Sequence, residues 1–135
     1  LGLCNPIEYI PSMELPDEEY PMKMMTGRVL YHYNACAMTD KTEGLNEISG
    51  HSFIEINTED AERIGIKDGD RVKVSSRRGS IETTANVSGK TNPGECWMPF
   101  HFLDGGANWL TSDALDSISS TPEYKVCAVK IENTK

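Results

Sequence analysis

The sequence predicts an all-β barrel of five or six short strands with one short helix. Apolar and polar residues alternate over 72–74 and 81–87 with the period of two that half-buried strands show. Turn-forming residues separate the apolar segments at 66–70, 77–79 and 92–94. Many short strands divided by such turns favour a barrel over an alternating α/β layer fold.

Residues 1–22 are predicted to form a lead-in or linker segment, followed by a single domain over residues 23–135. Four prolines and the acidic run at 17–19 fall in the first segment. Because proline has no backbone N–H and disrupts helices and central strands, no long regular element is expected there. A chain of 135 residues can bury about two thirds of its unfolded surface around one core.

The domain begins with an apolar segment from 22 to 33 that is interrupted by Thr26-Gly27-Arg28. This pattern predicts a strand with an internal turn or bulge. Residues 34–50 are rich in small and polar residues without clear periodicity, which predicts a loop. The apolar residues at 53–56 then predict a short strand.

A short helix is predicted at 58–64 because Asn57 can cap its first turn and Gly65 can end it. The two alternating segments after it are predicted to pair as a hairpin. Residues 96–98 predict another strand. A long polar segment then leads to a last strand around 126–129.

The composition limits the possible partners. The 21 acidic and 13 basic residues give a net charge of −8, which excludes general binding to nucleic acids. A small phosphate group could still be held locally by a few backbone N–H groups and one or two cations. No apolar run approaches the roughly 20 residues that a membrane-spanning helix needs, so no membrane span is expected.

The cysteines and histidines do not form a recognisable metal-binding motif. The four cysteines are widely spaced, with no C-x-x-C pair, which is typical of reduced thiols in a cytoplasmic protein. His32 and Cys36 would share a face only if the segment between them were helical, and Tyr33, Asn34 and Ala35 disfavour a helix. No metal ligands are therefore expected in this chain.

Several segments together resemble a known family. They are 27–33, 56–70, 74–79, 98–102, 107–111 and 122–129. In this order and spacing they resemble the molybdopterin-dinucleotide-binding domain of the dimethyl sulfoxide reductase family. Within that family the last three segments are most similar to the formate dehydrogenase catalytic (alpha) subunit. The resemblance covers about residues 22 to 132.

The resemblance implies a six-stranded double-psi β-barrel, normally the C-terminal domain of a much larger subunit. Such a domain closes over two molecules of molybdopterin guanine dinucleotide that hold molybdenum or tungsten, where formate is oxidised to CO2. The metal-ligating residue and the 4Fe-4S cluster of these enzymes lie in other domains. The expected partners are therefore those remaining domains and an electron-transfer beta subunit. No catalytic residue is expected here, and the isolated domain is expected to be inactive.

The resemblance also implies a set of cofactor-binding residues, which are Thr26, Gly27, Arg28, His32, Asn34, His101, Asn108, Tyr124 and Lys125. Their loops are predicted to converge on one rim of the barrel. The chemistry suits a pterin dinucleotide, because guanidinium and ammonium groups bind phosphate and an amide can pair with a pterin edge. These positions also have structural alternatives. Thr26-Gly27-Arg28 could be a strand bulge with a solvated arginine, and His32 could be buried in a barrel seam. His101, with Phe100 and Phe102, could belong to aromatic core packing. Asn108 could cap a loop, and Tyr124 and Lys125 could be an edge-strand pair. Arg77-Arg78 is interpreted as solvated surface.

Two other functions remain open at this point. The chain could be a free-standing pterin-binding small subunit, similar to the D subunit of a formylmethanofuran dehydrogenase complex. It could also be a double-psi barrel without a cofactor that serves as an adaptor for protein partners. The polar loops rich in Gly and Asn disfavour the adaptor.

Overall fold

The computed structural model describes residues 2–134. Within this range six β-strands and two α-helices form, which are β1 (Met22–Gly27), α1 (Glu43–Ser49), β2 (Phe53–Asn57), α2 (Thr58–Ile64), β3 (Arg71–Ser75), β4 (Ser80–Ser88), β5 (Glu95–Pro99) and β6 (Val126–Asn133). Two single-turn 3-10 helices, Thr39–Lys41 and Ala107–Trp109, lie in the connecting loops. None of the helices in the described range is long and apolar enough to span a membrane.

The six strands form one closed sheet in the order β1-β5-β2-β4-β3-β6, with β6 returning to β1. The β1/β5 and β2/β4 pairs are parallel, and the other four pairs are antiparallel. The predicted six-stranded double-psi β-barrel is confirmed, as is the hairpin of β3 and β4. Closure leaves no strand edge open, so every strand has two hydrogen-bonded neighbours.

The barrel encloses its own apolar core. Alternate residues of the strands point inward, and the largest fully buried side chains include Met24, Ile54, Ile56, Met98 and Val129. All five belong to strands of this chain, and they form one continuous cluster. Because both the hydrogen-bonded sheet and its core come from the chain itself, the described residues contain what a domain needs to fold independently.

The predicted helix at 58–64 is confirmed together with both of its caps. The Asn57 side chain accepts a hydrogen bond from the Glu59 N–H at 2.9 Å, and its amide donates to the Thr91 carbonyl at 2.5 Å. Gly65 ends the helix with φ of 71°, a left-handed conformation that favours glycine. The cap therefore also joins the helix to the turn before β5.

Two predictions about the first half of the domain are wrong. The strand that begins at Met22 ends at Gly27, and the apolar residues after it leave the sheet, so that Leu30 is 90% exposed. The last pair of this parallel ladder is Gly27 and Pro99, and the Phe100 N–H donates to the Gly27 carbonyl at 3.2 Å. The segment predicted as a loop contains α1, a helix of seven residues without a buried side chain.

The lead-in segment has no regular element before Met22, but it is attached to the barrel through Glu14. The Glu14 carboxylate accepts hydrogen bonds from both terminal nitrogens of Arg78 and from the Ala128 N–H at 2.7 Å. Arg78 also donates to the Leu110 carbonyl at 2.7 Å. The interpretation of Arg77-Arg78 as solvated surface is therefore wrong for Arg78, because its guanidinium joins three segments of the chain.

Candidate cofactor site

Strand direction brings three loops to one rim of the barrel. Because β1 and β5 are parallel, both strands end at the same rim, beside the paired residues Gly27 and Pro99. Because β6 runs antiparallel to β1, its first residue, Val126, lies beside Met25 near that rim. The loops after β1, after β5 and before β6 therefore start from adjacent positions. The predicted convergence of these loops follows from the topology of the barrel.

Hydrogen bonds hold the three loops together at this rim. The Thr26 N–H donates to the Lys125 carbonyl at 3.2 Å, and the Thr26 hydroxyl donates to the Tyr124 carbonyl at 2.6 Å. The Phe100 N–H donates to the Gly27 carbonyl at 3.2 Å. The loop before β6 is thus tied to Thr26, and the loop after β5 is tied to the next residue of β1, Gly27.

Two cations and a tyrosine surround the ring of Phe100. The Arg28 guanidinium carbon lies 5.7 Å from the ring centroid, and the Lys125 Nζ lies 5.4 Å from it. The Tyr124 ring packs edge-on against Phe100 with a centroid separation of 6.4 Å. Asn108 donates its side-chain amide to the Phe100 carbonyl at 3.3 Å. We call this group of residues the Phe100 rim.

The cations of the Phe100 rim carry no internal countercharge. Among residues 2–134, neither Arg28 nor Lys125 has a carboxylate within ion-pair distance. Both side chains belong to exposed residues in a chain whose net charge is −8. Two unpaired cations over one aromatic ring form a local site for an anionic or planar ligand.

Thr26 and Gly27 shape the rim through contacts inside the protein. Thr26 is 6% exposed, and its hydroxyl is already donated to a backbone carbonyl. A Cβ at Gly27 would lie 2.6 Å from Nε1 of Trp97, so glycine is required there by packing against the indole. Thr26 and Gly27 therefore support the rim through packing and hydrogen bonds within the protein.

His32 and His101 lie behind the rim as a buried pair. They are 4% and 5% exposed, and their ring centroids are 5.0 Å apart. His32 Nε2 lies 2.6 Å from the Ser49 carbonyl, and its Nδ1 lies 3.1 Å from the Thr39 hydroxyl. His101 is buried against Phe102, and burial, with the proximity of His32, lowers the pKa of His101 below its usual value of 6.5. The His101 imidazole is therefore neutral at pH 7.

The loop after β1 also brings a cysteine to this histidine pair. Asn34 and Cys36 both adopt left-handed backbone conformations, with φ of 48° and 64°. This path leaves Asn34 exposed and turns Cys36 inward, where it is 7% exposed. One ring nitrogen of each histidine and the Cys36 Sγ lie within 4.8 Å of one another. The argument against a metal site required a helix between His32 and Cys36, whereas the loop brings them together without one.

Eight of the nine candidate residues thus occupy two adjoining places. Six of them form or support the Phe100 rim, which are Thr26, Gly27, Arg28, Asn108, Tyr124 and Lys125. His32 and His101 lie behind it, and Asn34 lies on the exposed loop between His32 and Cys36. Sequence reasoning missed Phe100 as the centre of the rim and Cys36 as a neighbour of the histidines. The only sequence signal for the rim was the pair of cationic loop residues, Arg28 and Lys125.

Comparison with known proteins shows the family of the chain. Residues 22–128 match the model of the Molydopterin dinucleotide binding domain. The chain belongs to this family. It is 46% identical over 132 residues to F420-dependent formate dehydrogenase 2 subunit alpha of Methanococcus maripaludis, covering 98% of this chain and 20% of that protein. It is 43% identical over 123 residues to a nitrate reductase of Symbiobacterium thermophilum, covering 88% of this chain and 16% of that one.

One solved structure agrees with the fold described above. Acetylene hydratase from Pelobacter acetylenicus superposes with a TM-score of 0.74 at 15% identity, over 84% of this chain and 18% of that one. The chain spans about a fifth of the length of the formate dehydrogenase subunit that it matches. The matched region of the family model contains both the Phe100 rim and the histidine pair.

Proposed function

We propose that this domain holds a molybdopterin guanine dinucleotide, with molybdenum or tungsten, inside the catalytic subunit of a formate dehydrogenase. The family match and the 46% identity to a formate dehydrogenase alpha subunit support this proposal. The observation that carries it is the pair of unpaired cations, Arg28 and Lys125, over the ring of Phe100. A pterin dinucleotide combines a flat ring system with two phosphates and needs such a combination of groups.

The Phe100 rim offers a distinct role to each of its polar residues. Arg28 has a planar guanidinium that can make two parallel hydrogen bonds to a phosphate or a pterin oxygen. Lys125 adds a point charge, and Tyr124 adds a ring with a hydroxyl. The Asn108 amide already donates to Phe100, so its oxygen is left to accept from a pterin edge. These residues bind and orient the ligand.

The chemical step belongs to other parts of the proposed enzyme. The bound cofactor would supply the metal at which formate loses a hydride equivalent. We assign no catalytic residue to this chain, and we propose that its partners are the remaining domains of the subunit and an electron-transfer beta subunit. A 4Fe-4S cluster is proposed only for those other domains, and the location is proposed to be the cytoplasm. The relatives described above are much longer chains, which favours a domain of a larger subunit over a free-standing small subunit.

The test is the cofactor content of the intact subunit after substitution at the rim. Arg28→Gln and Lys125→Gln should each lower bound molybdenum or tungsten and extractable pterin, and the double variant should lower both further. A lost charged hydrogen bond costs about 1.5–3 kcal/mol, which corresponds to roughly 10- to 100-fold weaker binding. Lys130→Gln is the matched control, because Lys130 lies on β6 and pairs with Glu132 at 2.8 Å.

Circular dichroism should show that all these variants keep the barrel. Full cofactor content in the Arg28/Lys125 double variant would refute the rim as the binding site. A loss in the Lys130→Gln control of the same size would also refute it, because the effect would then follow from net charge alone.

The purified chain alone is expected to reduce no dye with formate, even when metal and pterin are supplied. The physical reason is that none of its residues matches the metal ligand of the resembled enzymes. Any formate-dependent reduction above a protein-free blank would contradict this part of the proposal.

A further inference from the structure

The outer wall of the barrel carries a cavity of about 380 Å³. The residues that line it are Met25, Phe53, Glu55, Lys90, Thr91 and Trp97. None of these six belongs to the Phe100 rim or to the histidine pair. We propose that this cavity binds the arginine side chain of a protein partner, with the guanidinium group held against Glu55 and the two aromatic rings. This inference goes beyond the proposed cofactor function and does not depend on it.

Strand pairing places three of these side chains in one row on the outside of the sheet. Trp97 of β5 is paired with Met25 of β1 and with Glu55 of β2. Directly paired residues of neighbouring strands project from the same face of a sheet. The residues before and after Glu55 and Trp97 belong to the apolar core, so these two side chains point outward. The cavity therefore rests on the regular strands of the barrel.

Phe53 and Trp97 form two aromatic walls of the cavity. Their ring centroids are 5.8 Å apart, and their planes are inclined by 46°. Both residues are only partly buried, so part of their ring surface stays uncovered. The face of an aromatic ring attracts cations, most strongly for tryptophan, and arginine is the cation found there most often. A planar guanidinium can also stack on such a face, which suits an arginine side chain.

Glu55 supplies a fixed negative charge beside these rings. Its side chain is only 6% exposed. The carboxylate accepts hydrogen bonds from the Ser88 hydroxyl and from the Asn86 amide, the latter at 3.2 Å. These two contacts hold the carboxylate in place, but both donors are uncharged. A buried charge is costly unless an opposite charge is paired with it, so the carboxylate favours a cation in the cavity.

Lys90 provides this opposite charge only weakly. Its Nζ lies 3.4 Å from Glu55 Oε1, which is longer than the roughly 2.7–2.9 Å of a charged hydrogen bond. The Lys90 side chain is 73% exposed, and an exposed ion pair on a long flexible stem contributes little stability. Lys90 can therefore move into water when another cation arrives. Because the fixed charge is negative and the mobile charge is positive, the cavity selects a cation over an anion.

Thr91 gives an independent indication that the cavity takes a hydrogen-bonding ligand. Within residues 2–134 its hydroxyl oxygen is one of two buried side-chain polar atoms without a hydrogen-bond partner, whereas most such atoms in proteins are satisfied. The Thr91 carbonyl accepts from the Asn57 amide at 2.5 Å, which fixes the backbone beside the cavity. Rotation about the Cα–Cβ bond can turn the hydroxyl toward a donor in the cavity. A guanidinium carries several N–H donors in one plane, so it can bind Glu55 and Thr91 together.

The test is an NMR titration of the purified chain with N-acetyl-arginine methylamide at constant ionic strength. The chain has two tryptophans, so the indole N–H of Trp97 reports on the cavity and that of Trp109, which is 71% exposed, serves as an internal control. Trp109→Phe assigns the two signals. We expect the Trp97 signal to shift saturably with a Kd of millimolar order, while the Trp109 signal stays in place. The lysine counterpart should bind more weakly, and the neutral citrulline counterpart should leave the Trp97 signal unchanged.

Two substitutions in the cavity should change the Kd in opposite directions. Glu55→Gln keeps an oxygen that can accept from Ser88 but removes the charge, and it should weaken arginine binding by about 10-fold or more. Lys90→Gln removes the competing cation and should tighten binding by about 2- to 5-fold, as expected for an exposed ion pair. Lys130→Gln is the matched control, because it removes the same charge from β6 and should leave the Kd unchanged.

Several results would overturn the arginine site. They are the absence of a Trp97 shift, an equal shift from the citrulline counterpart, and tighter binding of the lysine counterpart than of arginine. Equal Kd values for Lys90→Gln and Lys130→Gln would do the same. If Glu55→Gln does not fold, the comparison of these two lysine variants decides the question. Because neither metal nor pterin is added, the result is independent of the cofactor proposal.

Discussion

Replacing Glu14 with alanine should detach the lead-in segment from the barrel and destabilise the domain. The Glu14 side chain is 11% exposed and accepts hydrogen bonds from Arg78 and from the Ala128 N–H. The substitution removes charged hydrogen bonds worth about 1.5–3 kcal/mol and leaves the Ala128 N–H without its partner, at about 1–3 kcal/mol. Because Arg78 keeps the Leu110 carbonyl and water can enter, we expect a net loss of about 2–4 kcal/mol.

The assay is urea unfolding of the purified chain at several pH values. The Arg78 hydrogen bond, with the Ala128 N–H and the charges of both arginines, holds the pKa of Glu14 below its usual value of 4.5. A carboxyl whose folded pKa is lowered stabilises the protein above its unfolded pKa, and this stabilisation is lost as the pH falls through the folded value. The stability difference between the native chain and Glu14→Ala should therefore shrink on acidification below about pH 4.5.

Glu18→Ala is the control, since Glu18 lies in the same segment and is exposed. It should change the free energy of unfolding by no more than about 0.5 kcal/mol, as surface substitutions usually do. If Glu14→Ala also falls within this range, or if its effect is independent of pH, the attachment through Glu14 is refuted.

Three further substitutions test other parts of the domain. Gly27→Ala places a Cβ 2.6 Å from Nε1 of Trp97 and should cost about 1–3 kcal/mol in thermal unfolding, with altered tryptophan fluorescence. Asn57→Ala removes the helix cap and the bond to the Thr91 carbonyl and should cost about 1–2 kcal/mol in urea unfolding. A histidine with a lowered pKa is protonated more readily in the unfolded chain, so the domain loses stability as the pH falls through 6.5. His101→Gln should make this loss of stability smaller.

Each of these expectations has a contrary result. An unchanged Gly27→Ala would mean that the indole moves aside without cost. A neutral Asn57→Ala would mean that neither side-chain contact stabilises the helix, and Thr58→Ala, one residue further on, gives the comparison. A parallel pH profile for His101→Gln would mean that His101 titrates alike in the folded and unfolded chain.

Elements with local signals were predicted correctly. The alternation in β3 and β4 reflects one buried face, and the α2 helix carries both its caps in adjacent residues, so each is readable within a few positions. The helix at 43–49 was missed because it buries no side chain and therefore shows no apolar stripe. The end of β1 was missed because it depends on how far the strand pairs with β5, and this pairing joins residues that are distant in sequence.

The Phe100 rim was largely predictable from the sequence, whereas the cluster around the histidine pair was not. The resemblance indicated Arg28, Asn108 and Lys125, and the parallel β1/β5 pair explains why their loops meet. The cluster behind the rim was not predicted, because its formation depends on left-handed turns around Cys36 and on a contact between His32 and His101. Neither feature has a signal in a single sequence.

The two parts of the candidate site differ in burial and therefore in charge. Arg28 and Lys125 are exposed residues, so their cationic ends can reach a phosphate. His101 follows Phe100 directly in the chain but is 5% exposed, and burial disfavours its charged form, so it is a neutral nitrogen donor at pH 7. A neutral buried imidazole attracts anions poorly, but its ring nitrogens can still donate and accept hydrogen bonds. The short segment after β5 therefore places Phe100 beside two cations at the rim and a neutral histidine behind it.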